Sequence, residues 1–129
     1  MINQFQKAET FFIPPNSNKS DCMDEFIFNN FQISNDINEV LSFINKDLDL
    51  KNLIYNLPKL IKDEFPDDKI SIQFYEDEFE KNMVQINIFT SFDGDVSFSK
   101  ENKIYDVLLE KFNLKTVDKI FLNMVYSNY

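Results

Sequence analysis

Residues 70–90, ISIQFYEDEFEKNMVQINIFT, contain two short runs in which apolar and polar side chains alternate. A period of two is typical of strands in a sheet that has one buried face and one solvated face. The acidic segment 76–82 joins the two runs, so the sequence predicts an antiparallel β-hairpin that pairs residues 70–75 with residues 84–90. The side chains expected inside are Ile70, Ile72, Val84, Ile86 and Ile88.

Amphipathic helices are predicted before and after this hairpin. Apolar residues recur at helical spacing over residues 37–48, and the same pattern returns over residues 100–112. Asp36 immediately precedes the first of these runs, and Glu39 follows it three residues later, which is the spacing of a capping box with Asp in the place of Ser. We therefore expect the first helix to begin at Asp36.

A further amphipathic stretch covers residues 50–65 and contains Pro58. Proline lacks a backbone N–H and clashes with the preceding turn, so a kink or a helix restart is expected there. Residues 92–95 have the composition of a turn. The segment 117–127 fits either a strand or a helix, and its aromatic and β-branched residues favour the strand.

The first part of the chain carries weaker patterns. Residues 8–13 predict a short strand that ends at two prolines, and residues 14–20 are polar and turn-forming. Residues 21–33 mix phenylalanine with asparagine and only weakly favour a helix. We expect residues 14–33 to be a loop or a weakly ordered segment.

The order of these elements predicts an α+β fold. The chain has 129 residues, of which 43% are hydrophobic and 15 are phenylalanine, so it can bury a core. We expect a single domain over residues 1–129, built from a small, mainly antiparallel sheet with helices packed on one face.

Composition excludes several kinds of chemistry. The chain lacks histidine, arginine and tryptophan, and its 13 basic residues are all lysine. Histidine-dependent triads, histidine zinc sites and arginine fingers are therefore ruled out. The formal net charge of −9 repels the phosphate backbone, so nucleic acid is not an expected partner. We expect neither a catalytic residue nor a cofactor nor a bound metal.

Cys22 is the only cysteine, so the chain cannot form an internal disulfide, which suits a reducing compartment. Its neighbours Asp21, Asp24 and Glu25 are anionic and do not activate a thiol. The chain shows no signal-peptide pattern near its start and no apolar run long enough to span a membrane. A cytoplasmic protein without a membrane contact is expected.

The densest cluster of charge lies in the loop of the predicted hairpin. Its acidic residues are Glu76, Asp77, Glu78 and Glu80, and Phe79 lies among them. Clustered carboxylates can hold calcium or magnesium, or they can simply keep a hairpin edge solvated. They can also bind a basic partner, in which case Phe79 is either an apolar anchor or folds back on the sheet. These five residues are the candidate partner-binding site.

Three segments carry a resemblance to other proteins. They are KAETFFIPPNS (7–17), KISIQFYEDE (69–78) and VQINIFT (84–90), and a helix ending at Phe112 follows them. Together they resemble small uncharacterised prokaryotic α+β proteins whose acidic β-hairpin turn reads Asp-Pro-Glu. The resemblance covers about 7–17 and 60–112, lacks the proline of that turn, and has no counterpart over 18–50. It implies the α+β order of elements and no particular function.

Two classes of function follow from these patterns. In the first, an acidic, non-catalytic domain acts by protein–protein interaction on a basic partner, as immunity proteins and antitoxins do. In the second, the chain is a small-ligand or divalent-cation-binding module, or an enzyme that works through carboxylates. Both a monomer and a homodimer are compatible with an exposed hairpin.

Overall fold

The structure is a computed structural model that describes residues 19–76, 78 and 81–126. Its elements follow one another along the chain as α1 (Lys19–Asn30), β1 (Gln32–Ile33), α2 (Ile37–Asn45), α3 (Leu48–Glu64), β2 (Lys69–Glu76), β3 (Asn82–Thr90), α4 (Gly94–Lys111), α5 (Leu114–Val117) and β4 (Ile120–Tyr126). This combination confirms the predicted α+β class. Within the described residues, none of the helices is both long and apolar enough to cross a bilayer.

The four strands form one mixed sheet in the order β1-β2-β3-β4. The central pair, β2 and β3, is the predicted antiparallel hairpin, with Ile72 opposite Ile86 and Ile70 opposite Ile88. The outer strands run parallel to their neighbours, β1 beside β2 and β4 beside β3. The C-terminal segment is therefore a strand, as its aromatic and β-branched residues predicted.

The core lies between one face of this sheet and the helices. The five side chains that were predicted to be inside are all buried, and none exposes more than 4% of its surface. Ile120 and Leu122 of β4 extend the same face, and Val40, Ile54 and Leu108 cover it from α2, α3 and α4. Burial of this continuous apolar surface is the main favourable term in folding.

Helix α3 runs through Pro58 as one continuous element, so the restart that Pro58 suggested does not occur. Asp47 caps its start, because the carboxylate accepts a hydrogen bond from the Leu50 N–H at 3.2 Å. Ile54 and Ile61, one turn on either side of the proline, are both fully buried in the core. Packing of this apolar face outweighs the one backbone hydrogen bond that proline removes.

Two helix starts differ from the prediction. Helix α1 begins at Lys19, inside the stretch 14–20 that was expected to be a loop, and the expected strand 8–13 lies outside the described residues. Helix α4 begins at Gly94 rather than near residue 100, because the Asp93 carboxylate accepts a hydrogen bond from the Val96 N–H at 2.9 Å. Residues 92–95 had the composition of a turn because Asp93 is the N-cap of this helix, and N-caps favour the same residue types as turns.

The register of the hairpin can be tested by removing one of its core side chains. We expect Ile86→Ala to lower the free energy of unfolding by about 2–5 kcal/mol, because the fully buried side chain leaves a cavity. Urea denaturation measures this change. Gln85→Ala, one residue away on the other face, is the comparison and should cost about 1 kcal/mol, because it removes one hydrogen bond to Asn87 and leaves no core cavity. A one-residue slip of the register would reverse the two costs.

Candidate functional site

Residues 76–80, called here the hairpin tip, were predicted as the partner-binding site, and the structure describes part of this segment. Glu76 is the last residue of β2, and Glu78 lies in the turn that follows; both side chains are exposed. Asp77, Phe79 and Glu80 lie outside the described residues, so the role of Phe79 as an anchor stays a prediction. The described part of the tip presents carboxylates to solvent at the end of a paired hairpin.

The lysine beside the tip is already engaged. Lys81 Nζ lies 2.9 Å from the Asp118 carboxylate, in the turn between α5 and β4. The ion pairs found among the described residues include neither Glu76 nor Glu78. Among the residues that the structure describes, no lysine therefore neutralises the charge of these two carboxylates by direct contact.

A side-chain clamp holds the strand that leads to the tip. The Asp36 carboxylate accepts hydrogen bonds from the Ser34 hydroxyl and from the Phe74 backbone N–H, the latter at 2.8 Å. The Ser34 hydroxyl also lies 3.2 Å from the Ile72 carbonyl oxygen. Strand β1 ends at Ile33, so these two side chains continue its hydrogen bonding along the edge of β2.

The predicted capping box is therefore wrong. Asp36 does occupy the N-cap position of α2, but its side chain makes no capping hydrogen bond. The carboxylate is used on β2 instead, and Glu39 is exposed. The local spacing of Asp36 and Glu39 indicated a capping box. The partner of the Asp36 carboxylate, Phe74, lies 38 residues further along the chain, where local spacing carries no information about it.

A second ion pair links the start of α3 to the start of β4. Asp47 Oδ2 is bonded by the Lys119 ammonium group, and the two side chains are 24% and 33% exposed. The hydrogen bond from Lys119 is the main cause that lowers the pKa of Asp47 below its usual value, against a smaller opposing effect of burial. This contact ties two distant segments together and lies outside the two clefts described below.

The outer edge of the sheet is also partly occupied. The Leu122 backbone N–H of β4 donates to the Tyr105 hydroxyl of α4 at 3.1 Å. The hydroxyls of Ser97 and Tyr126 lie 2.8 Å apart and join the start of α4 to the end of the same strand. These contacts from α4 protect the edge of β4 from pairing with another strand.

Two groups of α4 have shifted pKa values. Burial is the main cause that raises the pKa of Tyr105, and burial also raises the pKa of Glu101.

The sheet face opposite the helices, called here the open face, carries a distinct set of residues. Because side chains alternate along a strand, the positions on this face follow from the register. They are Gln32, Lys69, Ser71, Gln73, Tyr75, Met83, Gln85, Asn87, Phe89, Phe121, Asn123 and Val125.

Asn87 joins the strands of the open face at its centre. Its side-chain nitrogen, Nδ2, donates to the Ser71 hydroxyl at 3.0 Å and to the side-chain oxygen Oε1 of Gln73 at 2.8 Å. Its side-chain oxygen, Oδ1, accepts hydrogen bonds from the side-chain amides of Gln85 at 2.8 Å and Asn123 at 2.9 Å. With only 6% of its surface exposed, Asn87 has its donors and acceptors satisfied by its own strand, β3, and by the two neighbouring strands, β2 and β4.

The open face is nearly free of charge. Lys69 is the one residue of this face whose side chain is charged at neutral pH, although 27% of the residues of the chain are charged. Tyr75 and Phe121 are exposed there to 41% and 42%. Protein–protein interfaces are depleted of charged side chains at their centres and enriched in Tyr, Phe and Met. The open face has this composition, and sequence periodicity identified it only as a solvated face.

Two shallow clefts lie on the described surface, and the first borders the open face at Gln32 and Lys69. One, of about 370 Å³, lies beside the end of α1 and the start of β2 and includes Lys62 and Asp68. The other, of about 290 Å³, lies between α2 and the hairpin and includes Glu39 and Phe74. Over residues 19–76, 78 and 81–126, no group of three or more Cys, Asp or Glu side chains is placed to hold a metal ion.

Comparison with other proteins adds no assignment. The chain matches no protein-family model, no curated protein and no solved structure. The resemblance carried by residues 7–17 and 60–112 stays a prediction.

The clamp on β2 predicts unequal effects of two nearby acidic residues. Asp36→Ala should lower the free energy of unfolding by about 1–3 kcal/mol, because it leaves the Phe74 N–H without its charged acceptor. Glu39→Ala, the control, should change it by less than about 0.5 kcal/mol, since Glu39 is exposed. Chemical denaturation of both variants measures these changes. Comparable losses of unfolding free energy in the two variants would contradict the clamp and support the capping box.

Proposed function

We propose that this chain is a non-catalytic binding protein that acts through protein–protein interaction, with the hairpin tip as its contact for a basic partner. The observation that carries the proposal is the exposed pair Glu76 and Glu78 at the end of a hairpin in a chain of net charge −9, with no ion pair to any lysine that the structure describes. The partner is a protein with a basic surface, in the manner of a toxin bound by an immunity protein or an antitoxin.

Electrostatics supports this choice of partner. An acidic patch on an acidic protein accelerates encounter with a basic surface and disfavours nucleic acid. A basic partner whose own ligand is anionic would be occupied by such a patch. We place this interaction in the cytoplasm, where a chain with a single cysteine has no need of a disulfide.

The strand pairing beneath the tip supports a fixed position for Glu76. Strands β2 and β3 are paired from Lys69 to Glu76, and the Asp36 clamp holds β2 at Phe74. A contact on a rigid element loses less conformational entropy on binding than one on a loose loop. The carboxylate of Glu76, at the end of the paired segment, is therefore carried by a scaffold that suits recognition.

The test compares two variants of equal net charge. The partner is first isolated with the immobilised full chain, and its basic surface is identified by mutation. The tip variant neutralises Glu76, Asp77, Glu78 and Glu80 to the corresponding amides. The control neutralises four acids that are exposed elsewhere: Asp49, Asp67, Asp106 and Glu110.

We expect the tip variant to slow association roughly tenfold and to flatten its dependence on salt, whereas the control keeps most of the wild-type rate. Phe79→Ala should instead speed dissociation, as a lost apolar anchor does. Stopped-flow or surface-based kinetics measures these rates. Equal slowing by both variants would contradict a contact at the tip. A calcium-induced rise in Tm that only the tip variant loses would establish the cation-binding alternative.

A further inference from the structure

We propose that the open face of the sheet is a homodimer interface, on which two copies of the chain meet face to face. This surface is separate from the hairpin tip and does not depend on the basic partner. At the average composition of the chain, which is 27% charged, twelve positions would carry roughly three charges, yet Lys69 is the one charged residue of the open face. Depletion of charge together with exposed aromatic residues is characteristic of the centre of an interface.

The hydrogen-bonding groups of the open face are self-complementary. Asn87 is saturated at the centre, but the Gln73 amide nitrogen and the carbonyl oxygens of Gln85 and Asn123 take no part in its network. An amide carries both donors and acceptors, so a two-fold axis through Asn87 brings the donors of one copy to the acceptors of the other. Tyr75 and Phe121 provide apolar anchors on either side.

Charge favours a second copy over a basic partner as the occupant. The open face presents no carboxylate, so it offers a basic surface no attraction. The acidic residues of the described chain lie on its helices and loops and at the hairpin tip, so most other pairings of two copies would oppose carboxylates. Contact through the open face brings two nearly neutral surfaces together.

The dimensions of the sheet predict a weak dimer. Strands β2, β3 and β4 have 8, 9 and 7 residues, and β1 has 2. With about 4.8 Å between strands and about 3.3 Å per residue, they give a flat area on the order of 400 Å² per copy. Two copies bury less than the roughly 1,200–2,000 Å² of tight interfaces, so we expect a Kd on the order of 100 µM. Each copy also carries −9, so salt that screens this repulsion should strengthen the dimer.

Sedimentation equilibrium of the full chain tests the proposal, from about 10 µM to about 1 mM protein and at about 0.02 M and about 0.5 M NaCl. The expected result is a dimer that tightens at high salt. Phe121→Glu should weaken it at least roughly tenfold, because the substitution brings two carboxylates together. Phe98→Glu, at a phenylalanine 62% exposed on α4, is the matched control and should leave the dimer intact.

Tyr75→Glu provides a second disruption on the open face should Phe121→Glu fail to fold, and circular dichroism verifies the fold of each variant. The tip variant with four neutralised acids should retain the dimer, which separates this test from that of the partner. A chain that stays monomeric under all conditions would overturn the proposal. A dimer weakened by salt, or one that survives both face variants, would overturn it as well.

Discussion

The pairing of Ile72 with Ile86 at the centre of the hairpin is the constraint on which the rest of the structure depends. Both side chains are fully buried, and the alternation of a strand then commits every other residue of β2 and β3 to one face or the other. A shift by one residue would bring Ser71 and Asn87 into the core and expose the isoleucines. The composition of the core and that of the open face are thus two consequences of one register.

The parallel outer strands extend this division across the whole sheet. Gln32, Ser71, Asn87 and Asn123 lie in one row because β1 and β4 pair with the hairpin in matching register. Helices α2, α3 and α4 cover the apolar face, and side chains at Ser34, Asp36 and Tyr105 occupy the edges. Among the described residues, the open face carries one charged side chain, Lys69, whereas Glu76 and Glu78 at the hairpin tip are exposed carboxylates.

Periodicity in the sequence was sufficient to predict the hairpin, its buried residues and most helices, because each of these depends on neighbours along the chain. The placement of β4 beside β3 was not predictable, since Ile120 pairs with a residue far away in sequence. The same limit applies to Asp36, whose local spacing indicated a helix cap although its acceptor role is on β2. The amide network around Asn87 requires three strands in register, and no single segment carries a signal for it.

The most direct test of this account is the register of the sheet in solution. Nuclear Overhauser contacts between backbone protons, measured on the isotope-labelled full chain, report which residues face each other across neighbouring strands. The account predicts contacts that link residue 72 with residue 86 and residue 71 with residue 87, together with parallel contacts between residues 84–90 and 120–126. Contacts that link residue 72 with residue 85 or residue 87 as its direct partner would contradict it, because the core and the open face would then exchange their residues.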